Sequence, residues 1–240
     1  MTMSDPFDLL PASVIIETAS GTMLDVVNPD PQSINIHDIA WTLSRLPRFG
    51  GHTTTAQAFN VAQHSIYVST LVEQFIDGQL DAERVLSAGQ LPGAVLTAIS
   101  ALRSAPVTRS TTLLRALLHD AHEAYTGDII TPIKKIPQVY EIFKQLETVL
   151  DAAIADRVGL PAACEHQTVL IKFCDQLSQA VESWHFMPSR GMGWELPRPS
   201  LSIIQNFPKP LPAMAACDEF ILRFNSLVSQ LPTVECPTPR

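Results

Sequence analysis

The sequence, 240 residues long, predicts an all-α bundle with a small β-hairpin at its front. Three observations carry that reading. Apolar residues recur at helical spacing through most segments between residues 36 and 230. Two β-rich runs flank Ser20-Gly21 near the start. Only one long stretch, Met187 to Pro212, is dominated by proline and glycine, and it reads as an ordered wrap rather than a second domain. With 46% hydrophobic residues the chain can bury a full core. It is therefore read as one domain over 1–240, with a hairpin at about 14–30, a core at about 31–186 and a C-terminal extension at about 187–240.

The elements follow in order. "SVIIETASGTMLDVV" forms the hairpin and ends at the Asn28-Pro29 turn. "INIHDIAWTLSRL" sets Ile36, Ile39, Ala40 and Leu43 on one helical face and stops before Pro47; "TAQAFNVAQHSIYVSTLVEQF" continues the helical pattern. The stretch Asp77 to Ser110 is less regular, with short helical patterns at Ala82 to Leu86 and Ala94 to Leu102. Helices are then predicted at Thr112 to Tyr125, Pro137 to Arg157, Glu165 to Phe186 and Ala213 to Gln230.

Charge narrows the function classes. A net charge of -8, with Lys and Arg scattered, leaves no electrostatic footprint for polymeric nucleic acid. A small anionic substrate stays compatible if a bound cation supplies positive charge locally. Cys164, Cys174, Cys217 and Cys236 include no Cys-x-x-Cys pair, which points to a reduced, cytoplasmic protein. The start "MTMSDPFDLL" lacks the basic and apolar parts of a signal peptide, and the longest apolar run, "LPGAVLTAISAL", falls short of the ~20 residues that span a bilayer, so no membrane partner is expected.

The chemistry concentrates in "ALLHDAHEAYTGDIITPIKK", residues 116–135. At about 100° per residue, Leu113, Leu114, Leu117, Leu118, Ala121, Ala124 and Tyr125 fill a core face, while His119, Asp120 and Glu123 share a separate arc. A lone His-Asp pair ordinarily marks a solvated face, and His37-Asp38, at the start of a helix, is read that way. The second pair differs because no lysine shares its arc and a Gly127-Asp128 break, Pro132 and Lys134 follow it. A hydrolytic metal site needs at least a third protein ligand. His64 lies on the same face as Val61, Val68, Leu71 and Phe75, so it is either a buried, hydrogen-bonded imidazole or a ligand. Asp175 and Glu182 lie opposite the apolar arc of Val169, Phe173, Leu177 and Val181, and from periodicity alone both are surface acids.

Together these motifs resemble the HD-domain metal-dependent phosphohydrolases, above all 5'-deoxynucleotidases and related bacterial and phage proteins with a hairpin before the HD bundle. The resemblance spans about residues 14–185 and is most specific in "HDAHEAYTGDIITPIKK". It implies an HD-domain helical bundle in which His64, His119, Asp120 and Asp175 hold one divalent metal ion, whether Mn, Co, Zn, Fe or Mg. It implies Glu123 as general acid or base and Asp128 as acceptor for a sugar hydroxyl. "RFGGHTT" is similar to the family's substrate loop, giving Arg48 for phosphate and Phe49, where these nucleotidases tend to carry Trp, near the base. Lys134 adds positive charge, and His52 and His122 are either surface residues or neighbours of the substrate. The long interval from His64 to His119 marks about 77–110 as an insertion. The implied reaction is metal-dependent hydrolysis of 5'-(deoxy)nucleotides, releasing phosphate from a dNMP or triphosphate from a dNTP, by a homo-oligomer in bacterial or phage-infected cytosol. A catalytically silent nucleotide-binding module and a cyclic-nucleotide phosphodiesterase are the alternatives.

Overall fold

The computed structural model describes residues 10–105 and 108–231, so Cys236 lies outside the described residues. At the front, β1 (Ile15–Glu17) pairs antiparallel with β2 (Met23–Asp25), Ile15 opposite Asp25 and Glu17 opposite Met23. Gly21, at φ 82°, supplies the left-handed turn between them. The hairpin is tied down by α1 (Ile36–Leu43): the hydroxyls of Thr18 and Ser20 each donate to Asp38 Oδ2 at 2.7 Å. Asp38 is thus buried and engaged, not merely a dipole-compatible acid at a helix start.

The bundle is built around α2 (Val61–Ile76), whose N-cap Asn60 accepts from the Gln63 amide. Val68, Leu71, Val72 and Phe75 on this helix are all but fully buried, each worth about 1.5–3 kcal/mol of hydrophobic stabilisation. After the short α3 (Ala82–Val85), α4 (Gly93–Arg103) buries Val95, Ala98, Ile99 and Leu102. Then come α5 (Arg109–Leu117), α6 (Glu123–Thr126), α7 (Thr131–Lys134, with Pro132 in its first turn), α8 (Pro137–Arg157) and α9 (Glu165–Phe186). Helices α5, α9 and α4 pack against α2, and α4 also packs along α9, so the 77–110 stretch contributes to the core. The proline-rich wrap contains α10 (Leu201–Gln205) and returns to the α3 end, where Ser87 donates to the Arg198 carbonyl at 3.0 Å. Finally α11 (Ala213–Val228) lies on α1, α2 and α5.

The principal departure concerns the helix predicted over Thr112 to Tyr125. It begins three residues earlier, ends at Leu117 and resumes at Glu123. Between these points the amides of Ala121, Glu123, Ala124 and Tyr125 bond carbonyls three residues back, a tighter winding than the α-helix. A wheel at constant pitch therefore does not apply to the His-Asp pair. Among the described residues, Cys164, Cys174 and Cys217 are free, and no helix is long and apolar enough to cross a membrane.

Candidate active site

The loop between α1 and α2 positions the first element of the site. Arg48 donates its amide to the Phe59 carbonyl at 2.9 Å and buries its side chain. The backbone then turns left-handed through Phe49 (φ 58°), Gly50 and Gly51. For an aromatic residue that conformation is strained, and strain of this kind collects at functional sites. It sets the Phe49 ring 5.9 Å from that of Trp194, which is itself 37% exposed. His52, at the end of this loop, is exposed, and its side chain makes no hydrogen bond or ion pair with the cluster described next.

Helix α2 presents His64, fully buried, toward the turn after α5 and toward α9. Its Nδ1 faces Glu182 Oε1 at 2.6 Å, while the Nδ1 of His119 lies 2.9 Å from the Ala116 carbonyl. Those partners assign the proton of each neutral ring to Nδ1 and leave both Nε2 atoms as bare acceptors. The two Nε2 atoms are 3.2 Å apart. Asp175 Oδ1 is 3.1 Å from His64 Nε2, and Asp120 Oδ2 lies 3.4 Å from His64 Nε2 and 3.3 Å from His119 Nε2. Four lone-pair donors so close repel one another unless a cation lies among them. Their spacings fit the edges of a coordination polyhedron with metal–ligand bonds of about 2.0–2.2 Å. The donor chemistry, two imidazoles and two carboxylates, suits a divalent first-row metal.

Electrostatics agree with that geometry. Burial and Arg48 oppose charge on His64, but Glu182 and Asp175 outweigh them and raise it to about 10. Burial pushes Asp120 and Asp175 up, yet the two histidines hold both carboxyls below their ordinary range. In the absence of a metal, a proton on His64 balances the acids, and a metal ion would displace it.

Glu182 joins the halves of the site. Fully buried, it accepts from Ser178 Oγ at 2.6 Å and from Arg48 Nε at 3.0 Å as well as meeting His64. Burial works against its charge, but His64 and Arg48 prevail and hold it at about 2. The surface placement expected for Glu182 is therefore wrong, whereas Asp175 keeps a side chain 36% exposed while its Oδ1 meets His64. Helix α9 lines the site with a polar stripe in which Ser178 and Glu182 are buried and Asp175 is part-exposed at its edge. The spacing of that stripe is the signal that was available: once Asp175 faces His64, Glu182, two turns on, lies on the same side.

Beside the cluster sits Glu123. Burial, then Asp120 and Asp128, raise its carboxyl to about 8, with Arg48 and Lys134 opposing. Lys134 Nζ is 3.5 Å from Oε1, and the buried Oε2 has no hydrogen-bond partner. Asp128, held up by burial, lies 3.7 Å from Arg48, which also reaches Asp120 at 4.0 Å. His122 turns toward α8, where it meets Asp151 at 2.9 Å and Glu147 at 3.6 Å; Glu147 in turn binds Lys134 at 2.9 Å. The structure thus gathers Arg48, His64, His119, Asp120, Glu123, Asp128, Lys134 and Asp175, borders them with Phe49 and His122, and leaves His52 outside. Glu147, Asp151, Ser178 and Glu182 are the members that sequence reasoning missed.

A family model described as 5'-deoxynucleotidase YfbR-like matches residues 93–184, the stretch that carries His119, Asp120, Glu123, Asp128 and Asp175. An uncharacterized protein of Rhodobacter capsulatus is 32% identical over 165 residues, which covers 68% of each chain. The uncharacterized protein YfdR of Escherichia coli K12 is 29% identical over 221 residues, 88% of this chain and 94% of YfdR.

Proposed function

The chain belongs to the YfbR-like 5'-deoxynucleotidase family of HD-domain proteins, and on that premise we propose that it is a metal-dependent phosphohydrolase acting at the α-phosphate of 5'-deoxynucleotides. The observation that carries the proposal is the cluster of His64, His119 and Asp175 ligand atoms, with Asp120 Oδ2 within 3.4 Å of both imidazole Nε2 atoms and the unpaired carboxyl oxygen of Glu123 nearby. These four residues would hold the metal. When bound, a divalent ion neutralises phosphoryl charge and lowers the pKa of a coordinated water.

The remaining work falls to the chain's own groups. Arg48, oriented by Glu182, offers its guanidinium to a phosphoryl oxygen. Glu123, neutral below its raised pKa of about 8, holds a proton that it can give to the departing 5'-oxygen. Lys134 fixes one oxygen of that carboxyl and leaves the other to act. Asp128 accepts from a sugar hydroxyl, and the Phe49–Trp194 pair offers a face to the base. Asp120, His122 and Glu123 also form a ligand-like group. Lys134 and the α8 carboxylates already balance its charge, which favours a single cation and weighs against a binuclear phosphodiesterase.

The test is to incubate Mn2+-loaded protein with dAMP and with dATP and to identify the products. Nucleoside should form, and Glu123→Ala should cut the rate about 10²–10⁴-fold while retaining the metal. If wild type and variant bind nucleotide equally and neither releases a product, the chain is a silent binding module.

A further inference from the structure

Helix α8 supplies none of the groups assigned above to metal, phosphate, sugar or base, yet one of its side chains holds both neighbours of Glu123. Lys134 Nζ donates to Glu147 Oε1 at 2.9 Å, and the same oxygen lies 3.6 Å from Nε2 of His122, the residue immediately before Glu123. Through its other ring nitrogen His122 meets Asp151, one helical turn further along α8, at 2.9 Å. Helix α7, which carries Lys134, also packs along α8. Glu147 thus ties the residue before Glu123, and the cation that faces its carboxyl, to one helix of 21 residues.

The distances show which acid governs the lysine. Its short contact goes to Glu147, while Glu123 Oε1 stands 3.5 Å away. The Glu123 side chain is only 5% exposed, against 29% for Glu147, so an ion pair closed on Glu123 would be the less screened of the two. Without the Glu147 charge, Lys134 is therefore drawn onto Glu123. It would then claim the carboxyl whose Oε2 is now buried without a partner.

We infer that Glu147 is a positioning residue for the reaction: it draws Lys134 and His122 onto α8 and thereby keeps Oε2 of Glu123 free to meet the leaving oxygen. This inference rests on the phosphohydrolase reading above. In that reaction the oxygen of water bonds to phosphorus, the bond from phosphorus to O5' breaks, and the proton of Glu123 passes from Oε2 to O5'. Glu147 touches none of the reacting atoms. It acts through Lys134 and His122, and its removal matters only while Glu123 is there to be captured.

The experiment is a double-mutant cycle on Mn2+-loaded wild type, Glu147→Gln, Glu123→Ala and the double variant, using radiolabelled dAMP or dATP, whichever wild type turns over faster. Glutamine keeps the shape of the side chain and removes the charge that holds Lys134. Thermal unfolding and metal analysis check that each variant is folded and loaded at the assay temperature. Glu147→Gln should lower kcat about ten- to a hundredfold with KM unchanged, and should cost nothing further once Glu123 is alanine. An equal fractional loss in both backgrounds is what a merely structural role produces, and it overturns the inference. So do a Glu147→Gln enzyme as fast as wild type, a loss confined to KM, or a loss that follows missing metal. The phosphohydrolase reading stands in each of those cases. Release of nucleoside from neither nucleotide by wild type overturns both.

Discussion

Glu182 couples the proposed metal ligands to Arg48, the proposed phosphate-binding arginine, through one buried carboxylate: it fixes the tautomer of His64 and the direction of Arg48 together. Glu182→Gln keeps the shape and removes the charge. It should weaken metal affinity ten- to a hundredfold, read by metal titration, because an uncharged partner makes His64 a poorer donor. Unchanged affinity would make Glu182 a packing residue. Its role was hidden in the sequence because hydrophobic periodicity reads any polar stripe as solvent-facing, whereas α9 buries Ser178 and Glu182 against His64 and Arg48. His64 was legible for the opposite reason: its neighbours on the wheel are apolar, so its burial followed directly.

At the scale of elements, the ends of α8 and α9 matched the predicted boundaries because proline at Pro137 and the irregular stretches around them punctuate the chain. The break after Leu117 carries no proline or glycine and was not legible. It is the tighter winding there that aims His119 and Asp120 at His64. The hairpin was visible in its β-rich runs, but its anchor was not, since two hydroxyls and Asp38 meet only in three dimensions. Asp38→Ala should destabilise the fold by about 1.5–3 kcal/mol in urea unfolding, the scale of a buried hydrogen-bonded charge; a loss within error would mean that the hairpin docks by apolar contact alone. The tie between α7 and α8 predicts a pH dependence. Glu147 is lowered from 4.5 to about 2 by His122 and Lys134. Its stabilisation is therefore complete above 4.5 and lost as pH falls toward 2. The difference in Tm between wild type and Glu147→Gln should narrow between pH 5.5 and 3; a constant difference contradicts the ion pair.

Across the whole molecule, the site draws on α2, the turn after α5, α6 and α9, so assembling it requires the bundle to be folded. A ligand that binds only the folded form stabilises it by mass action, about 2.7 kcal/mol at a hundred times its Kd. Metal should raise Tm and chelation should lower it. The bundle architecture was legible in the 3.6-residue periodicity, and the long His-Asp motif pointed to its chemistry. The meeting of Asp175 with His64, and the support that Glu182 gives it, depend on how α9 packs against α2, information that no local pattern holds. The most direct test of the central claim is metal content by elemental mass spectrometry on purified wild type, His64→Ala and Asp175→Ala. One divalent ion per chain in wild type, and loss of most of it in both variants, is the predicted result. A metal-free wild type, or variants that retain the full complement, would contradict the convergence of these side chains on one cation.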